Sequence, residues 1–204
     1  MKINAIIQAR MGSSRLPGKV MKKIKDKPLI GYLLDRLKVC TEITRVVAAI
    51  PERDLESPLG RYLKVCHIDI STGPEDDVAR RFCIALKDFP CEHFVRICAD
   101  SPLMDPREID KLVRVHKRGR VTLTSQFCVS GLRPEVVHAK TFLEAVPLMD
   151  TEEREHVTLY FHRKMSLVVD TRRDFQRITK LIERMDRPHT DYGAQECLSL
   201  LQLA

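Results

Sequence analysis

Tryptophan is absent, and aromatic residues make up only 5% of the 204-residue chain. Sequence-tolerant binding of single-stranded nucleic acid rests on aromatic side chains that stack on bases, so little is available here to build such a platform. No apolar run approaches the roughly 20 residues needed to cross a bilayer as a helix, and no membrane partner is expected. The opening run, residues 3–9 (INAIIQA), is too short and too soon followed by charge to be the core of a signal peptide. A cytoplasmic protein is the expectation. The seven cysteines, at 40, 66, 83, 91, 98, 128 and 197, include no C-x-x-C pair. Zinc ligands usually come in pairs two to four residues apart, and disulfide frameworks come in even sets, so reduced thiols in the core are expected. Internal repeats and low-complexity linkers are also missing, and the length suits a single domain over 1–204 with a last helix, about 190–204, packed outside.

Positive charge is in surplus, at +7 overall, but it is local. Residues 1–40 hold ten Lys or Arg against Asp26 and Asp35, and the remainder of the chain carries about −1. A compact polyphosphate site explains this better than a long nucleic-acid track, and no nucleic-acid partner is expected. Within the basic segment lies QARMGSSRLPGKVM, residues 8–21. It is not a Walker loop, because five residues separate Gly12 from Gly18 and Val20 stands where a magnesium-binding hydroxyl should be.

Short apolar runs alternate with segments of helical period, the pattern of an α/β domain with a largely parallel sheet. Strands are expected at 3–9, 45–50, 67–70, 93–99, 121–125 and 166–170. Helices are expected behind Pro28 and at about 54–65, 75–88, 106–118, 139–147, 152–163, 172–185 and 191–202, with a loop at 126–134. Ligands of open α/β sheets bind beyond the carboxyl ends of strands. Ala9 leads into the glycine loop there, and Asp100 and Asp170 each close an expected strand. A cationic loop and two carboxylates on one sheet edge suit a magnesium-bound polyphosphate. Each piece also has a purely structural use. Gly12 and Gly18 serve tight turns, Arg10, Arg15 and Lys19 serve as solvated charge, and Asp100 or Asp170 starts a turn or caps a helix.

The run IIQARMGSSRLPGKVM, followed in order by GPEDDVARR, VRICADSPLMDP, EREHVT and VDTRRDF, resembles the cytidylyltransferases of the spore coat polysaccharide type. More distantly it is similar to the synthetases of CMP-3-deoxy-manno-octulosonate and CMP-neuraminate. The resemblance implies a Rossmann-like GT-A nucleotidyltransferase fold and transfer of CMP from CTP to a sugar or sugar acid, with magnesium as cofactor and pyrophosphate as product. It places Ala9, Arg10, Met11, Gly12, Ser13, Ser14, Arg15 and Lys19 around the triphosphate. Asp100 and Asp170 become the metal carboxylates, and Asp77, Arg80 and Arg96 lie near the nucleotide or sugar. Arg154, Glu155 and His156 match a motif of unassigned role. By analogy with the same synthetases a homodimer is expected.

Three departures bear on the acceptor. Gly131-Leu132-Arg133-Pro134-Glu135 puts a base where relatives read G-L-D-V-E, Arg172-Arg173 replaces a Pro-Glu pair, and the stretches before Gly131 and between His156 and Asp170 are short. Two other classes therefore stay open at this stage, a glycosyltransferase on the same sheet and a non-catalytic nucleotide-binding descendant.

Overall fold

A computed structural model describes residues 1–118, 123–125, 131–164, 166–193, 196–197 and 200–201. It divides into two compact units, Met1–Val157 and Thr158–Ala204. In the first unit β1 (Ile3–Gln8) leads through a long loop and the small hairpin β2 (Lys23–Ile24) and β3 (Lys27–Pro28) into α1 (Leu29–Lys38). Then come β4 (Arg45–Pro51), α2 (Pro58–Val65), β5 (Asp69–Gly73), α3 (Val78–Asp88), β6 (His93–Cys98) and α4 (Pro106–Arg118). The unit closes with β7 (Leu123–Ser125), β8 (Glu135–His138), α5 (Ala139–Ala145) and α6 (Thr151–Glu155).

The six-stranded sheet has the order β5-β4-β1-β6-β8-β7. The first four strands are parallel, and β8 runs antiparallel to both β6 and β7. From β1 the chain winds outward through β4 to β5 and then returns to β6 on the other side of β1. The order thus reverses between β1 and β6, and the crevice beyond their carboxyl ends is where such sheets bind ligands.

Alternation along the strands builds two cores. Ile3, Ala5 and Ile7 of β1 join Val95 and Ile97 of β6 against Leu33, Leu34 and Leu37 of α1, Leu59 and Leu63 of α2, and Ile109 and Val113 of α4. On the opposite face Phe82 of α3, Phe94 of β6 and Phe142 of α5 form an aromatic cluster with ring centroids 5.2–6.2 Å apart. Higher up this second face, Gln8 and Arg96 stand nearer the carboxyl ends of their strands.

Helix α2 begins at Pro58, with Ser57 as N-cap accepting from Leu59 N–H (3.1 Å), four residues later than the periodicity predicts. The intervening residues form a 3-10 turn, Glu52–Asp54. Gly60 lets α2 press on this turn, for a Cβ there would fall well inside van der Waals contact with the Leu55 and Asp54 carbonyls. Because those are backbone atoms, and the Asp54 carbonyl is held by Ser57 N–H and Oγ, Gly60→Ala is expected to cost roughly 3 kcal/mol or more, read as the change in free energy of urea unfolding. A loss under about 0.5 kcal/mol would mean that α2 shifts freely.

Several expected elements differ. The strand predicted at 67–70 is β5 at 69–73. The helix predicted at 75–88 starts at Val78, because Asp77 caps it, accepting from Arg80 N–H (2.8 Å). The helix predicted at 152–163 is two pieces, α6 and, in the second unit, α7 (Leu159–Lys164). Strand β8 and the hairpin were not anticipated. Residues 119–122 and 126–130 lie outside the described residues, and so does much of the predicted 191–202 helix.

The second unit contains α7, α8 (Arg172–Glu183) and a 3-10 turn, His189–Asp191. The predicted 166–170 strand is not formed. Leu167, Val168 and Val169 are exposed, and the segment is tied instead to α8, where Arg177 Nη2 donates to the Ser166 carbonyl (2.8 Å). An apolar run becomes a sheet strand only with a partner for its backbone, and among the described residues this run has none. Asp170 therefore does not end a strand of the sheet.

Candidate functional site

The loop after β1 is clasped at its base. Gly18 N–H donates to the Met11 carbonyl (3.0 Å), and Met11 N–H donates to Asp54 Oδ2 (2.8 Å). Gly18 sits at φ 63°, a left-handed conformation that favours glycine, and it starts the 3-10 turn Lys19–Met21 that buries Val20. Between the clasp residues, among the described groups, none accepts from the amides of Gly12, Ser13, Ser14 or Arg15. A run of amides without described acceptors, lying between Arg10 and Lys19, leaves donors available to an anion.

Beneath Gly12 lies an ion pair between Arg53 and Glu75. A Cβ on Gly12 would come within 2.8 Å of the arginine and 2.9 Å of the carboxylate, the far ends of two flexible side chains that would have to shift to admit it. Arg81, 2% exposed, donates from Nη1 to the carbonyls of Pro74 and Glu75, both at 2.6 Å. Burial, with the Arg10 charge next, holds its guanidinium below the usual arginine range, while Glu75, Asp54 and Asp77 pull it back up.

Lys19 reaches across the switch point and forms an ion pair with Asp100, which follows the end of β6. Ladder pairing carries past the strands here, since Ala99 N–H donates to the Gln8 carbonyl (3.0 Å). Asp100 is exposed and does not start α4. That role falls to Asp105, whose carboxylate accepts from Arg107 N–H (2.9 Å). Asp170 likewise stands outside the capping box of α8, which Thr171 and Asp174 form. The purely structural uses of the two aspartates as helix caps are thus taken by other residues.

The remaining expected residues are placed as follows. Arg96 donates from Nε to Gln8 Oε1 (3.1 Å) and from Nη1 to Glu135 Oε2 (2.9 Å), inside the second face of the sheet. Asp77 accepts from Arg154 (2.6 Å) besides capping α3, and Arg154 also donates to the Val146 carbonyl (3.0 Å). These two join α3 to α6. Arg80, Arg15, Ser14 and His156 are exposed. Sequence reasoning missed Asp54, Arg81 and Glu135. Arg81 was legible, because Val78, Arg81, Phe82 and Ala85 share one helical face. Asp54 follows the carboxyl end of β4, a strand end that was not read for chemistry.

Among the described residues no three His, Cys, Asp or Glu gather to hold a metal. Magnesium does not need such a cage, since one or two carboxylates and substrate phosphates suffice. Asp100, exposed beside the phosphate loop, fits that donor set.

A family model described as cytidylyltransferase matches residues 4–192. The chain belongs to the cytidylyltransferase family. Consistent with this, it is 26% identical to the spore coat polysaccharide biosynthesis protein SpsF of Bacillus subtilis, over 96% of this chain and 92% of that one. It is 31% identical to a 3-deoxy-manno-octulosonate cytidylyltransferase of Bdellovibrio bacteriovorus over 56% of this chain and 46% of the relative. A solved cytidylyltransferase from Leptospira borgpetersenii matches in fold with a TM-score of 0.74 at 23% identity, covering all of this chain and 94% of that structure. The mostly parallel sheet flanked by helices is the expected Rossmann-like nucleotidyltransferase fold, and this cytidylyltransferase-family chain is a nucleotidyltransferase.

Proposed function

We propose that the protein transfers CMP from CTP to a sugar or sugar-acid hydroxyl, with magnesium as cofactor, and releases pyrophosphate. The observation that carries the reading is the run of amides at Gly12–Arg15 without described acceptors, in the same loop whose Lys19 pairs with Asp100 beyond the end of β6. Family membership supports CTP as donor, and the names of SpsF and the octulosonate enzyme support a glycan or sugar-acid acceptor.

In this reading the acceptor oxygen attacks the α-phosphorus and the bond to the pyrophosphate oxygen breaks. The loop amides, with Arg10, Arg15 and Lys19, hold the β- and γ-phosphate oxygens and stabilise the charge that gathers on the leaving group. Ser13 shapes the loop, since its Oγ accepts from Leu16 N–H (3.3 Å). Asp100 is the carboxylate assigned here to magnesium, which when bound would screen the phosphate charge from the incoming nucleophile; the metal role of Asp170, in the second unit, rests on the family resemblance alone. No covalent enzyme intermediate is required. Lys19 would leave Asp100 for the phosphates as substrate enters. Asp77 and Arg80, as cap and first turn of α3, and Arg96, from the sheet face, are assigned to the nucleotide or sugar side.

The wider proposal is a single functional enzyme over 1–204 that works as a homodimer in the cytoplasm. The described cysteines are unpaired, and no described helix is long and apolar enough to cross a membrane.

The test is pyrophosphate release with magnesium, comparing CTP, UTP, ATP and GTP against a panel of sugar acids and amino sugars. Release with CTP and one acceptor is expected. A nucleoside diphosphate produced from a nucleotide sugar would replace this reading with a glycosyltransferase, and CTP binding without turnover on any acceptor would replace it with a non-catalytic binder.

A further inference from the structure

We infer that Asp54 is a positioning residue for the triphosphate, acting through the backbone of Met11 without touching substrate. The inference rests on the phosphate-loop reading above. Asp54 is 3% exposed, and its carboxylate accepts the Met11 amide (2.8 Å) at the point where the loop leaves the sheet. A buried carboxylate is costly unless it is paired or hydrogen-bonded, and any small polar side chain of the right length could accept one N–H.

The residue is itself fixed from below. Ser57 Oγ donates to the Asp54 carbonyl (2.7 Å) while capping α2, and Gly60 lets that helix lie directly against the turn. Arg81 lies close enough for the two charges to attract. The chain of contacts therefore runs from α2 through Asp54 to Met11. With the Met11 amide turned inward and held, and Gly18 closing the loop on the Met11 carbonyl, the amides of Gly12 to Arg15 are left as a group with no internal partner. Asp54 fixes the one N–H of this run that the ligand does not need, and so aims those that it does. This is preorganisation of donors, which acts before the substrate arrives.

The experiment measures calorimetric affinity for magnesium-CTP, magnesium-tripolyphosphate and CMP in the wild type and in Asp54→Ala and Asp54→Asn, with circular dichroism to follow folding. Asp54→Ala is expected to weaken CTP and tripolyphosphate by the same factor, about tenfold or more, and to leave CMP unchanged, because CMP lacks the phosphates that the loop holds. Asp54→Asn keeps an acceptor oxygen and is expected to stay within about threefold of wild type. A merely structural role would lower the melting temperature and leave the affinities of the folded protein alone, or weaken all three ligands alike; either result overturns the inference. So does an Asp54→Asn protein that folds and binds tripolyphosphate tenfold more weakly, a comparison that holds even if the alanine variant does not fold. Wild-type protein that binds neither CTP nor tripolyphosphate would remove the phosphate-loop reading itself.

Discussion

Asp100→Asn is expected to lower turnover by on the order of 10²- to 10³-fold at saturating magnesium, with little change in melting temperature. The substitution keeps the shape of the side chain and removes its charge. If Asp100 holds the metal at the α-phosphate, that charge is needed most as pyrophosphate departs. Folding needs it far less. Among the described residues the carboxylate pairs with the partly exposed Lys19 ammonium, and pairs near the surface contribute about 1 kcal/mol or less. Separate effects on rate and stability make the experiment informative. Pyrophosphate release is compared at several magnesium concentrations, beside thermal unfolding of the same preparations. Near-normal turnover would remove Asp100 from the metal site, and an equal loss of fold and rate would make it a structural residue.

Mild acid is expected to destabilise the protein by roughly 3 kcal/mol between about pH 6.5 and pH 4, through His116. This histidine is 1% exposed, on α4, with Nε2 2.8 Å from Nδ1 of His93 on β6. His138 on β8 meets His93 edge to face with ring centroids 5.0 Å apart. Burial first, then the His93 and His138 charges, push His116 down to about 4. His93 is also lowered, by burial and then by His138, while Glu92 opposes and Lys117 and the amino terminus add to the effect. The sign follows from proton counts. Above pH 6.5 neither the folded nor the unfolded His116 carries a proton. As pH falls below 6.5 the unfolded chain takes one up and the folded chain does not, so stability is lost until the folded group titrates near 4. Urea unfolding from pH 7.5 to 4.5 gives the slope. His116→Leu is expected to flatten it, whatever its stability at neutral pH, and a variant with an unchanged slope would place the acid sensitivity elsewhere.

The legible parts of the fold were those decided by local pattern. Residues 3–8 and 93–98 read as strands because Ile3, Ala5 and Ile7, and Val95 and Ile97, fill one face over a length too short for a helix, and 106–118 is a helix with its apolar residues at i, i+3 and i+4. The 166–170 run carries the same local signal as β1, yet its side chains are exposed, because nothing within five residues records whether a strand partner exists. Strand β8 was hidden for the opposite reason. Glu135 and His138 at its ends look like surface residues, and buried Glu135 pairs with Arg96, 39 positions earlier in the chain. In the site, Lys19 and Asp100 were chosen from the ends of two strands, and the structure brings their side chains together. Asp54 depends on a hydrogen bond to a backbone amide 43 residues away, which leaves no trace in spacing or composition.

The pairing of Arg96 with Glu135 has a consequence for how such a chain can diverge. Glu135 is 2% exposed and Arg96 is largely enclosed, so breaking this pair by a single replacement is expected to cost about 3–5 kcal/mol, whereas replacing both by apolar residues of similar volume can be neutral. Drift through single steps is therefore blocked at these two positions, and a lineage that leaves the pair must cross that barrier in one double change. The strands that carry the pair inherit this restraint, and change comes more freely at the exposed residues 132–133 just before β8.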